Sequence, residues 1–197
     1  MMREAKALVP KLRFPEFQNA GKWKVETLRH ILNAEVSEAF QNKLEFVENG
    51  YCVYGASGLV GQIKTYEQDE DYIAIVKDGS GVGRLYLHEK FTSVLGTLTY
   101  LKLRHQNNHN LIWIYHLLST LDLSKYVVGT GIPHIYFKDY SNESVPVPSL
   151  QEQRKIADCL GSLDDLIAAE SRKIETLSQH KQGLMQQLFP SFEVYGQ

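Results

Sequence analysis

PVPSLQEQRKIADCLGSLDDLI occupies Pro146–Ile167. Pro146 and Pro148 close whatever precedes them, because a proline has no N–H to give to a sheet and survives only at an edge. Ser149 then stands three residues ahead of Glu152. Ser-x-x-Glu is the pattern of a capping box, in which each side chain satisfies a free backbone N–H at a helix start. From there Ile156, Leu160, Leu163, Ile167, Ile174, Leu177, Leu184 and Leu188 recur at spacings of three, four or seven. Glu170 and Lys181 occupy the two polar slots of the same seam. Pro190 is expected to end the helix. About 39 residues of helix extend roughly 58 Å. A domain of this size has a radius of gyration of about 14 Å, so the helix is longer than the domain is wide. A narrow apolar seam with charged flanks predicts a coiled coil with a partner helix, the alternative being a helix folded back on its own domain.

Working toward the N-terminus, the texture changes. Gly129–Tyr140 (GTGIPHIYFKDY) reads as loop and strand, and Asn107–Val127 as a helix. Between Phe46 and Leu103, short β-branched and aromatic runs are punctuated by Gly, Asn, Asp and Ser, which is a strand-and-hairpin pattern. Trp23–Leu32 fits either a short helix or a strand plus turn. Residues 1–21 form an irregular lead-in broken by Pro10 and Pro15. The expected fold class is α+β: one mixed α/β domain with a twisted sheet, then a long C-terminal coiled-coil helix. The expected divisions are 1–148 for the domain and its lead-in, 149–190 for the helix and 191–197 for a tail.

Composition narrows the function classes. The 197 residues are 43% hydrophobic and 22% charged, with a formal net charge of −2. Residues 1–150 hold 16 basic and 16 acidic side chains, and the remaining 47 hold 5 and 7. Any nucleic-acid contact must therefore come from local basic groups. Cys52 and Cys159 make neither a disulfide framework nor a CxxC pair, which suits a reducing cytoplasm. The apolar run Leu111–Leu118 is too short to span a bilayer, and the N-terminus lacks the apolar core of a secretory signal.

The glycine-rich stretches YGASG (Tyr54–Gly58) and DGSGVGR (Asp78–Arg84) match neither a P-loop nor a complete dinucleotide fingerprint. They read as hairpin turns, or as loops that present Ser57, Lys77, Ser80 and Arg84 to DNA. GTGIPH (Gly129–His134) sets Thr130 and His134 on a turn, either structural or base-reading. His105 and His109 lack a third ligand or an HExxH glutamate. Glu67, Asp69, Glu70 and Asp71 read as a solvated acidic turn. Neither an adenine-methyltransferase [DNS]PP[YFW] loop nor a nuclease carboxylate cluster occurs, so no reaction centre is visible.

The run from Val145 onward closely resembles the conserved-helix region of type I restriction-modification specificity subunits. That family follows a hydrophobic-proline strand with E-Q-x-x-I-A-x-x-L-x-x-L-D-x-x-I and closes with K-x-x-L-x-x-x-L-F. Here the positions are Glu152, Gln153, Ile156, Ala157, Leu160, Leu163, Asp164 and Ile167, then Lys181, Leu184, Leu188 and Phe189. PKLRFPEF followed by Trp23 resembles the start of a repeat in these subunits, and the three glycine-rich loops resemble its recognition loops. The chain resembles a half-size subunit, with one target recognition domain and one helix instead of two of each.

The resemblance implies a non-catalytic subunit that binds double-stranded DNA. It would direct a methyltransferase (modification) subunit and a restriction/translocase subunit to a bipartite site. S-adenosylmethionine, ATP and Mg²⁺ would belong to those partners and not to this chain. The implied DNA contacts are Tyr54, Ser57, Lys77, Ser80, Arg84, Thr130 and His134. The helix seam would make an antiparallel homodimer with the domains at opposite ends, in which Glu170 and Lys181 approach one another. Two other readings stay open: the recognition fragment of a fused restriction-methyltransferase enzyme, and a coiled-coil oligomerisation protein that does not bind DNA.

Overall fold

Strand β1 (Lys24–Thr27) runs into a single helical turn, α1 (Leu28–Ile31), and straight on into β2 (Leu32–Val36). This resolves the Trp23–Leu32 ambiguity: Leu28 and Ile31 are buried, and three residues of spacing puts both on one side of the turn. The computed structural model describes residues 9–189. Pro190 and the tail 191–197 lie outside the described residues, as does the lead-in before Val9.

The remaining strands are β3 (Phe46–Gly55), β4 (Gly58–Ile63), β5 (Tyr72–Val76), β6 (Leu85–His88), β7 (Ser93–Val94) and β8 (Leu98–Leu103). Helix α2 (Leu111–Ser119) and the turn α3 (Phe137–Tyr140) follow, then β9 (Ser144–Val147) and α4 (Leu150–Leu188). The fold is a mixed α/β domain with a long C-terminal helix. Its strands are shared among three sheets: β1–β9, β2–β8–β5–β6 and β4–β3–β7. Pro146 pairs with Val25 in the two-stranded sheet, where a missing N–H can face the open edge.

All five residues of β5 are buried, as its unbroken YIAIV run requires. Side chains alternate across a strand. Ile73 and Ile75 therefore enter one apolar cluster, with Leu28, Trp113, Ile114 and Tyr140, while Tyr72, Ala74 and Val76 enter a second, with Val94, Leu98 and Tyr100. Two cores thus share one strand. His88 sits at the second core, its ring stacked 4.1 Å from that of Tyr54, which joins β6 of one sheet to β3 of another. Burial holds the His88 imidazole down to about 4.

Helix α2 is shorter than the Asn107–Val127 pattern. The Asn110 side chain accepts from the Trp113 N–H at 2.9 Å and fixes its start. Beyond Thr120 the chain turns, and Asp122 accepts from the Ser124 N–H at 3.1 Å. The acidic run is also not simply solvated. The Tyr100 hydroxyl donates to Glu67, the Gln106 amide donates to Glu70, and Asp71 accepts from the Lys90 N–H at 3.0 Å.

At the start of α4, Ser149 Oγ accepts from the Glu152 N–H at 3.3 Å, which is one half of a capping box. The other half is replaced. The Glu152 carboxylate turns to Arg13, whose Nε and Nη2 each donate at 2.7 Å. Gln153 accepts from the Asn110 N–H at 2.9 Å and donates to the Pro148 carbonyl at 3.0 Å. Both side chains are buried. The Glu-Gln pair therefore ties the lead-in, the start of α2 and the end of β9 to the helix. The chain forms two compact units, one ending at Ala157 and one beginning at Asp158, so the division falls inside α4. Ile156 and Ala157 pack into the first core.

Candidate nucleic-acid interface

Three loops that are far apart in sequence are joined by hydrogen bonds. β3 and β4 meet at the two-residue turn Ala56-Ser57, between paired glycines Gly55 and Gly58. β5 and β6 are linked by Lys77–Arg84, closed by Gly83 N–H to the Val76 carbonyl at 2.8 Å and Val76 N–H to the Arg84 carbonyl at 2.9 Å. The Val128–His134 loop is closed by reciprocal bonds of 2.9 and 2.8 Å between those two residues. Gly129 is needed there: its φ is +97°, and an added Cβ would lie 2.5 Å from the Ile132 carbonyl oxygen.

The second and third loops are bound together. Gly79 N–H donates to the Pro133 carbonyl and Ile135 N–H to the Lys77 carbonyl, each at 2.9 Å. Lys77 N–H reaches the Thr97 carbonyl at 2.9 Å. The first loop meets the second through the Ala56 carbonyl, which accepts from Tyr86 OH at 2.7 Å and from Arg84 Nη1 at 3.4 Å. Ser57, Ser80, Arg84 and Thr130 are thereby presented as exposed side chains on a hydrogen-bonded frame.

The electrostatics of this frame are mixed. Asp78 lies between two bases, 3.8 Å from Lys77 Nζ and 3.9 Å from His134 Nδ1. Lys77 is mostly covered, so its charge is spent largely on Asp78, whereas Arg84 stays in solvent. Tyr54 lies within β3, three residues before Ser57. Its half-buried ring packs against the second core, and burial pushes its hydroxyl upward.

Sequence reasoning missed Asp78, Tyr86, Tyr136 and Lys138, whose ammonium sits 5.4 Å from the Tyr136 ring. Tyr86 was findable, because it lies two residues beyond Arg84, and its hydroxyl is 3.4 Å from Arg84 Nη1. Val128 and Ile132 are exposed apolar residues in the third loop, which no periodicity marks.

In the second unit, Leu163, Ile167, Ile174, Leu177, Leu184 and Leu188 are all exposed, together with Glu170 and Lys181. Leu160 is partly covered. The exposed seam therefore begins at Leu163, two seam residues later than the Ile156 start that periodicity alone suggests. Among the described residues, no three His, Cys, Asp or Glu side chains are grouped to hold a metal ion. His109 is buried 3.6 Å from the Glu26 carboxylate, and desolvation holds it below the ordinary histidine range. No described helix is long and apolar enough to cross a membrane.

Residues 20–179 match the family model described as the type I restriction modification DNA specificity domain. The chain is 36% identical over 159 residues to the type I restriction enzyme MjaVIII specificity subunit of Methanocaldococcus jannaschii, an alignment covering 78% of this chain and 37% of that one. It is 24% identical over 168 residues to the type I restriction enzyme EcoprrI specificity subunit of Escherichia coli, covering 79% and 39%. The fold is similar to that of the type I restriction-modification S subunit from M. genitalium, with a TM-score of 0.71 at 20% identity, covering 87% of this chain and 46% of that one. The HsdS subunit from Thermoanaerobacter tengcongensis aligns with a TM-score of 0.54 at 20% identity, covering 83% and 41%. The chain thus spans less than half the length of the relatives it matches.

Proposed function

From the premise that this chain belongs to the type I restriction-modification DNA specificity domain family, we propose that it is a DNA-recognition element of a type I restriction-modification complex. The convergence of three loops on one hydrogen-bonded frame carries the reading. A rigid frame that presents serine, threonine and arginine side chains suits contacts to base edges and phosphates, because little side-chain freedom is lost on binding. In this reading the chain performs no chemistry. It brings a methyltransferase subunit and a restriction/translocase subunit to the site, in the cytoplasm where the DNA lies. S-adenosylmethionine, ATP and Mg²⁺ are taken up by those subunits and not by this chain.

The charge balance supports a shared DNA surface. Sixteen bases against sixteen acids in residues 1–150 supply no strong non-specific attraction. The isolated chain is therefore expected to bind duplex DNA weakly at physiological salt, and a specific footprint is expected once the methyltransferase subunit is added. Fluorescence anisotropy on duplexes that carry the host's methylated motif tests this. Within the complex, Ser57→Ala, Arg84→Ala and His134→Ala should each cost about 1–3 kcal/mol where a base contact is lost. A loss that is the same for every sequence, with a smaller salt slope, would mark a phosphate contact instead. Tight specific binding by the chain alone, or unchanged binding in all three variants, would overturn the reading.

The exposed seam of α4 supports a second element of the proposal. Two copies pair through this helix, since two-fold closure is the commonest way to cover a repeated face. Two identical recognition domains related by a two-fold axis read an interrupted palindrome. An asymmetric methylated target would count against a homodimer.

A further inference from the structure

We propose a single register for that pairing. The two copies of α4 run antiparallel with Leu163 opposite Leu188, Ile167 opposite Leu184, Glu170 opposite Lys181 and Ile174 opposite Leu177. This rests on the homodimer reading above and adds what sets its geometry. The two-fold axis then passes the helix between Ile174 and Leu177.

The observation behind it is a symmetry in the exposed seam. The seam that periodicity suggests begins at Ile156, but the first core takes up Ile156 and Leu160 is partly covered. The positions left in solvent run from Leu163 to Leu188, and the six apolar ones are 43% to 75% exposed. Read from either end, this trimmed seam has the same order: two apolar residues, one charged, then two apolar, one charged and two apolar. The two charged positions carry opposite signs, so the face is complementary to itself only when reversed.

Other arrangements fail on the same two residues. In parallel pairing, Glu170 faces Glu170 and Lys181 faces Lys181. Sliding the antiparallel pair by one heptad in one direction sets Glu170 against Ile174 and Lys181 against Leu163. It also brings Lys173 of the two copies together across the axis. Sliding in the other direction sets Glu170 against Leu188 and Lys181 against Leu177. Each alternative covers a charge without an opposite partner, which is costly in an apolar seam. Within its own helix Glu170 lies 3.7 Å from Lys173, but both side chains are about two-thirds exposed, so this surface contact competes little.

Two measurements on the full chain test the register. By sedimentation, Glu170→Lys is expected to raise the dimer dissociation constant about tenfold or more, and adding Lys181→Glu to it should restore most of the loss. In a Cys159→Ala background, Ser171→Cys and Ser178→Cys variants are treated with a short bismaleimide. These two positions flank the seam and face each other in the proposed register. Cross-links are expected when the two variants are mixed, and not within Ser171→Cys alone, whose two copies lie about 14 Å apart along the helix axis. Cross-linking of Ser171→Cys with itself, or no rescue by the charge exchange, in a protein that is still dimeric would overturn the register alone. A monomeric wild-type chain at micromolar concentration would overturn the homodimer and the register with it.

Discussion

Glu152 illustrates how one side chain can satisfy a local pattern and still be used elsewhere. Its position three residues after Ser149 marks a capping box, yet its carboxylate is held by Arg13 through two 2.7 Å bonds. A buried carboxylate needs a cation more than a capped helix needs a second reciprocal bond, since an unpaired buried charge is the costlier defect. Arg13→Ala should therefore lower the unfolding temperature distinctly more than Arg154→Ala, whose side chain is exposed. The double change Arg13→Met with Glu152→Leu should be milder than Arg13→Ala, because it leaves no orphaned charge. Thermal unfolding followed by circular dichroism measures both. Equal effects of Arg13→Ala and Arg154→Ala would mean that the pair contributes nothing to stability.

At the scale of the element, α4 serves two units. Its first turns are bound to the domain by Gln153, Ile156 and Ala157, and from Leu163 onward the apolar stripe is in solvent. A helix of 39 residues with charged flanks keeps its backbone bonds whether or not the stripe is covered. In the pairing proposed above, replacing Leu163 and Leu177 together with Glu should abolish self-association and leave the first unit folded. Light scattering should report a monomer, while near-ultraviolet circular dichroism of the domain's aromatic residues stays unchanged. Loss of the near-ultraviolet signal would show that the domain depends on the second half of the helix.

At the scale of the whole molecule, one half-buried histidine between two sheets makes the fold sensitive to acid. His88 joins two sheets through its stack on Tyr54, and burial holds it neutral down to about 4, against an ordinary value of 6.5. The unfolded chain takes up this proton first. Stability from His88 is thus fully present above about 6.5 and is lost as the pH falls toward 4. Allowing for partial solvent contact, the loss is about 2 kcal/mol. His88→Phe keeps a flat ring in the stack and should flatten the stability profile across that window in urea titrations. An unchanged slope would assign the acid sensitivity to other groups.

Features set by near neighbours were legible in the sequence. The proline edge, the Ser149 cap, the spacing of α4, the apolar run of β5 and the glycine-marked hairpins all act over a few residues, and a chain carries such preferences wherever it goes. Tertiary structure decided what those elements meet. Arg13 and Glu152 are 139 positions apart, and the loops at Ser57, Arg84 and His134 are joined only because β3, β5 and the Val128–His134 loop end side by side. The start of the exposed seam belongs to the same class. The periodicity of Ile156 is the same as that of Leu163, and only the first core, which takes up Ile156, separates it from the seam residues left in solvent.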